Sequence, residues 1–308
     1  MKINRHNWLF FPLFFATTLL FIPGVTGRFS DYQSEIWNLG HIGYFFLLIS
    51  VLFPIIERSF SSALSRLIVS ILITLLLSGV IEMIQLMVGR MASVDDVINN
   101  LVGCLFALYR CQFRRLKQRG KKVALLWMLL LLLFWRLVPL LLITVDSAFA
   151  YSKYPVVADF ETPFELLRWS SAFPLQVIQG GSNQLAVHLK PIGQYQEVTL
   201  LPRVANWSGY SLLRFEVYNS GGQMWRLHLR INDQMHDESE MQHYNDRYNT
   251  TLPLSPGWNS FQIDLRQLKA APVSRQMNMN NISKVGLFFI NEPSLATIRI
   301  DNIVLSND

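Results

Sequence analysis

The chain carries two cysteines in 308 residues, Cys104 and Cys111, and none beyond them. A disulfide framework is therefore excluded from the C-terminal half, and neither cysteine stands in a zinc-binding spacing. Charge is also scarce, at 16% of residues, and its signs are unevenly spread. Residues 1–150 hold 14 Lys and Arg against 7 Asp and Glu, whereas residues 151–308 hold 13 against 14. The basic excess belongs to the first half, and much of it lies in one run, RCQFRRLKQRGKK (110–122). Flanked by apolar segments, that run reads as a cytoplasmic loop, and no nucleic-acid partner is expected. The second half shows no serine–histidine–acid order, phosphate loop or paired catalytic carboxylates.

Long apolar runs dominate the first half. Five are long enough to be predicted as spans: 8–25, 39–56, 67–88, 94–109 and 123–145. The second opens near His41, the fourth is short and polar at its start, and the fifth contains Arg136 and Pro139. The run 8–25 has a signal peptide as its competing reading; its exit, PGVTGRFS, lacks a small-x-small site, so it is kept as a helix. With loop 110–122 cytoplasmic, alternation puts the N-terminus inside, and Lys2 and Arg5 agree with that. Everything after 145 then lies outside. Ser-Ala-Phe-Ala (147–150) imitates a cleavage site, and processing after Ala150 stands as an alternative fate.

The stretch GVIEMIQLMVGRMASVDDVINNLVG (79–103) breaks the apolar pattern. It carries Glu82, Gln85, Arg90, Asp95, Asp96, Asn99 and Asn100. Carboxylates at membrane depth are costly and mark candidate sites. At 1.5 Å per residue, Glu82 and Asn100 both fall roughly 9–11 Å below the outer turn, and His41 begins its span on the same side. Glu82 with Gln85, and Asp96 with Asn100, share helix faces. Gly79 and Gly103 would let helices approach closely. Arg136 has Glu82 as its expected partner, with snorkelling to the interface as the alternative. A structural alternative stands beside the functional one: such polar groups also hold helices together.

These residues resemble the VanZ-like family of bacterial membrane proteins over roughly 8–110. The resemblance rests on a histidine opening a helix (His41), E-x-x-Q (Glu82, Gln85), G-R (Gly89, Arg90) and D-x-x-x-N-x-x-G (Asp96, Asn100, Gly103). Where the family often has an acid three positions before the helix-four aspartate, this chain has Ser93. The resemblance implies a multi-pass protein of the bacterial cytoplasmic (inner) membrane and a link to teicoplanin-type glycopeptide resistance. It names no settled activity.

From 151 the pattern changes to short strands: 156–161, 175–179, 184–190, 197–202, 212–219, 225–232, 249–254, 259–265, 284–290 and 297–305. Their regular punctuation predicts an all-β sandwich of jelly-roll type over 151–308, separate from the membrane bundle of 1–122 and from span and junction 123–150. This half resembles galactose-binding-like carbohydrate-binding modules through Asp159–Glu161, Trp207–Tyr210, Tyr244–Asn249, Pro256–Asn259 and Ile300–Asn302. In those modules an opening acid and a closing aspartate often hold structural calcium. The resemblance puts Glu161 and Asp301 in that role, with solvated strand-end acids as the alternative. In the loop 233–249, Tyr244, Asp246, Arg247 and Tyr248 are sugar-binding candidates, because aromatic faces stack on sugars and polar groups fix hydroxyls. The same residues could equally brace the loop.

The overall expectation is a multi-domain membrane protein: an all-α bundle with five predicted spans, then a jelly-roll sandwich outside the cell. It would bind a polar envelope component, a lipid head group or lipid-linked glycan, through His41, Glu82, Gln85, Arg90, Asp96 and Asn100. The competing reading is an intramembrane enzyme using His41, Glu82 and Asp96 on a lipid-linked substrate. The sequence requires no cofactor and leaves the oligomeric state open.

Overall fold

The computed structural model describes residues 17, 30–87, 93–115, 117–189, 195–290 and 297–307. The predicted span 8–25, apart from Thr17, lies outside the described residues, as does Arg90. The described chain divides into two compact units, Ser30–Leu141 and Leu142–Asp308.

The first unit is helical. Helix α1 is Ser30–Ser59, α2 Ala63–Met87, α3 Val94–Cys111 and α4 Arg119–Lys153. Among the described residues three helices, α1, α2 and α4, are long and apolar enough to cross a membrane. Helix α3, at 18 residues, spans about 27 Å and carries four polar side chains in its first two turns. Ser93 caps it, accepting from the Asp95 amide at 3.2 Å. Its apolar positions repeat with the helical period, so one stripe faces its neighbours. Gly103 lies in that stripe, and a Cβ there would fall on the Ile42 carbonyl oxygen, so α1 and α3 pack backbone against backbone. Gly79 faces open space and makes no such approach. On α2 the buried positions Ser70, Thr74, Ser78, Glu82 and Gln85 recur at helical spacing. The Thr74 and Ser78 hydroxyls donate to carbonyls one turn back, at 2.9 and 2.8 Å, so small polar residues line that face without exposed donors.

The second unit is a sandwich of two antiparallel sheets. One has the order β3-β4-β11-β6-β9, with β1 beside β11; the other runs β2-β5-β10-β7-β8. The strands are β1 Val156–Ala158, β2 Trp169–Ser171, β3 Leu175–Ile178, β4 Gln184–His188, β5 Tyr195–Leu200, β6 Leu212–Asn219, β7 Trp225–Asp233, β8 Tyr248–Leu254, β9 Gly257–Asp264, β10 Ile282–Ile290 and β11 Thr297–Ser306. All ten predicted strands are present; β2 was not foreseen. Alternate residues such as Leu213, Phe215 and Val217 enter a single core between the sheets. The last turns of α4 belong to this unit: Asp146, fully buried, receives Arg168 at 2.8 Å and Arg203 at 2.8 Å.

Candidate functional site

In the helical unit, His41, Ser78, Asp96, Asn99, Asn100 and Arg136 converge from all four helices, and each is buried. The hydrogen-bond order can be traced from one end. The Ser78 hydroxyl donates to the Thr74 carbonyl. The Asn100 amide therefore donates to Ser78 Oγ, at 2.8 Å, and its carbonyl oxygen is left to accept. That oxygen lies 2.9 Å from His41 Nδ1, so Nδ1 carries the proton. In the neutral ring, Nε2 is then a lone-pair acceptor, and it faces Asp96 Oδ2 at 3.7 Å. With the Asn38 amide turned so that its nitrogen faces the carboxylate, Asp96 Oδ1 accepts from it at 3.0 Å. A separation of 3.7 Å exceeds a hydrogen bond. With the ring neutral, two acceptors face one gap, which suits a hydroxyl, ammonium or water donor between them; with the ring protonated, the two groups form an ion pair across it.

Two further ties frame this gap. Arg136 donates to Asn99 Oδ1 at 2.7 Å and to Asp95 Oδ1 at 2.9 Å. The guanidinium thus pairs with the extra acid Asp95, where depth alone pointed to Glu82. Glu82 instead accepts the Ser93 amide at 2.9 Å, fastening the start of α3 to the end of α2. Gln85 is fully buried on the same face of α2.

In the sandwich, the loop candidates separate. Asp246 accepts from Arg275 at 2.7 Å and lies 3.3 Å from His236 Nδ1. Arg275 also clamps Asp233, with contacts of 2.5 and 2.7 Å. For Asp246, the Arg275 hydrogen bonds come first in holding the carboxyl below its ordinary value. For Asp233, burial pushes upward, but Arg275 and the amides of Asn278 and His236 prevail and hold it low. Burial lowers His236, opposed by Asp246. This knot braces the loop. Tyr248 is half-buried against the core. Tyr244, at 64% exposure, carries the Arg247 guanidinium 5.5 Å from its ring centre.

The outer face of the β2-β5-β10-β7-β8 sheet holds groups that sequence reading missed. One cross-strand row is Glu197, Phe288, His228 and Thr251; the next is Thr199, Gly286, Arg230 and Asn249. Phe288 stacks on His228 at 5.1 Å and 19°, and Tyr195, 59% exposed, lies 6.5 Å from Phe288. Arg230 pairs with Glu197 across Gly286. A side chain at 286 would meet Glu197 at 2.7 Å, so the glycine makes room for that pair. The signal was the outward set in E-V-T (197–199) and R-L-H-L-R (226–230), polar and aromatic together, which a search confined to loops passes over.

The expected calcium acids are hydrogen-bond acceptors. Both Glu161 oxygens accept from Asn183, at 2.9 and 3.0 Å; Asp301 accepts from Ser182 at 2.7 Å and from the Asn302 amide at 2.8 Å. Burial raises the Asp301 carboxyl. Among the described residues no group of three or more His, Cys, Asp or Glu could hold a metal ion.

No curated relative matches the chain. Among solved structures, the family 11 carbohydrate-binding module from Clostridium thermocellum, in complex with a β-1,3-1,4-mixed-linked tetrasaccharide, is 16% identical. It covers 49% of this chain and 94% of its own, with a TM-score of 0.39. An exo-β-agarase is 16% identical over 50% of this chain and 25% of its own, with a TM-score of 0.38. A family 30 carbohydrate-binding module is 13% identical over 46% of this chain and 88% of its own, with a TM-score of 0.32. In the N-terminal region, residues 4–115 match the model of the VanZ/LLP1 family.

Proposed function

We propose that the chain is a cell-envelope protein of the bacterial cytoplasmic membrane. Its helical unit handles a polar envelope component at the outer leaflet, and its sandwich binds glycan outside the cell. Five spans, with 8–25 and α3 among them, bring the N-terminus inside and the sandwich outside. The observation that carries the reading is the gap between His41 Nε2 and Asp96, two acceptors fixed in place by Asn100, Ser78 and Asn38. Such a gap accepts a hydroxyl or ammonium of a lipid head group or lipid-linked sugar. The family's link to teicoplanin-type resistance concerns the same envelope chemistry, and a role in resistance or in envelope polysaccharide processes is part of the proposal.

In the sandwich, Tyr195, Phe288 and His228 supply faces for sugar rings, and Glu197, Arg230 and Thr251 supply groups for hydroxyls. Tyr244 and Arg247 extend that surface; Asp246 acts through the Arg275 brace. The test is a glycan array probed with the intact chain in detergent micelles, alongside a Y195A/F288A double variant. Retention on a defined glycan set, lost in the variant, supports the reading. A blank from folded protein removes the glycan half of it.

An enzymatic reading has one specific observation in its favour. His41 Nδ1–H is held by Asn100, the arrangement that orients Nε2 as a general base, with Asp96 beside it. Turnover of a lipid-linked substrate abolished in H41Q would select it.

A further inference from the structure

A second site lies at the opposite end of the helical unit from the His41 gap. A pocket of about 470 Å³ opens between the second half of α1 and the end of α3, lined among others by Ser50, Pro54, Glu57, Arg110, Cys111 and Arg114. Proline has no N–H, so Pro54 leaves the Ser50 carbonyl without its usual donor one turn on. Ser50 is 3% exposed, and its hydroxyl has no partner among the described residues. A buried polar group in that condition is costly unless something enters to meet it.

The charges around it are available. Arg110 lies 5.8 Å over the Phe46 ring, and among the described residues neither Arg110 nor Arg114 is ion-paired. The one acid in the lining, Glu57, has Arg66 at 3.6 Å. Among the described residues, two guanidiniums without an ion pair therefore flank a hydroxyl without a partner, towards the ends of α1 and α3. Guanidinium groups match phosphate oxygens, and basic pockets at the cytoplasmic ends of membrane helices suit anionic head groups. A lipid, rather than phosphate from solution, fits the apolar flank: Phe53 lines the pocket and Ile55, two residues on, is 63% exposed.

We propose that this pocket holds the phosphodiester of an anionic lipid from the cytoplasmic leaflet, with Arg110 and Arg114 on its oxygens and Ser50 as the neutral donor. The inference rests on the proposed orientation, in which 110–122 faces the cytoplasm.

Cys111 provides the readout. It lines the pocket and is partly exposed, whereas Cys104 is fully buried. The intact chain is placed in nanodiscs of phosphatidylglycerol or of phosphatidylcholine, and maleimide labelling of the Cys111 peptide is timed by mass spectrometry. Labelling is expected to be about tenfold slower in phosphatidylglycerol, and the ratio is expected to fall to near one in R110Q/R114Q. S50A is expected to reduce the ratio partially. Comparing ratios within each variant removes any direct effect of the arginines on the thiol. A ratio unchanged in R110Q/R114Q would mean that surface charge alone slows labelling, and the site would be withdrawn. Equal protection by inorganic phosphate in phosphatidylcholine discs would overturn the lipid assignment.

Discussion

The two units bury charge in opposite ways. In the sandwich, Asp146 is closed in by Arg168 and Arg203, and Asp233 and Asp246 share Arg275 with contacts of 2.5 to 3.0 Å. In these knots each carboxylate is met directly by a guanidinium, and the pairs tie backbone segments together. In the helical unit, the chain from Thr74 through Ser78 and Asn100 ends at a histidine nitrogen that faces a carboxylate across 3.7 Å. Asn99 Nδ2 is also buried there without a partner among the described residues. Polar groups that only join helices would be expected to close on one another. On the proposed reading, that difference separates charge that holds backbone from charge placed to meet a ligand.

Breaking a guanidinium–carboxylate knot should give the largest effect. D146N leaves two buried guanidiniums short of a counter-charge and is expected to destabilise the sandwich by about 3–5 kcal/mol. Urea unfolding followed by tryptophan fluorescence checks it, since Trp207 and Trp225 lie in that core. If the loss were below about 1 kcal/mol, the knot would count as no more than a surface pair.

Acid probes the same contrast. Asp233, Asp246 and His236 are all held below their ordinary values in the folded sandwich. A depressed group contributes stability above its unfolded pKa and loses it as the pH falls through the folded value. The His236 contribution should therefore start to fade below about 6.5, and the two aspartates' below about 3.8. Asp301, raised by burial, works the other way. Stability is expected to fall with pH in wild type and to fall less steeply in R275M, already weakened at neutral pH.

Smaller effects sharpen the comparison. G103A puts a methyl group onto the Ile42 carbonyl and should cost about 1–3 kcal/mol in detergent unfolding, while G79A, in open space, should cost nothing measurable. Smallest for stability, but not for function, is Y195A: at 59% exposure it should change unfolding by under about 0.5 kcal/mol, while weakening glycan retention by about 0.5–1.5 kcal/mol.

Much of this was legible in the sequence, for physical reasons. Alternation marked the strands, and helix rise put Glu82 and Asn100 at one depth with His41 on the same side; His41 and Asn100 meet at 2.9 Å, whereas Glu82 reaches the Ser93 amide instead. Depth could not choose partners around the helix axis, so Arg136 was aimed at Glu82 and is found on Asp95 and Asn99. Strand β2 was hidden because WSS (169–171) is too short to show a period. The outward aromatic row was hidden for a different reason. Phe288 and Tyr195 become neighbours through sheet order, and nothing local in the sequence states that β5 lies beside β10. Trp207 and Trp225 lie in the core, whereas Trp258 is 46% exposed beside Tyr218.

The most direct test of the account is H41Q in the intact chain. It should leave protein level and detergent stability within about 1 kcal/mol of wild type, because one interhelical hydrogen bond is worth little more. Teicoplanin susceptibility of a host lacking the wild-type chain should nevertheless match that of the empty host. Full complementation by H41Q, or a loss no larger than the loss of protein, would contradict the account and return the His41 cluster to the role of helix glue.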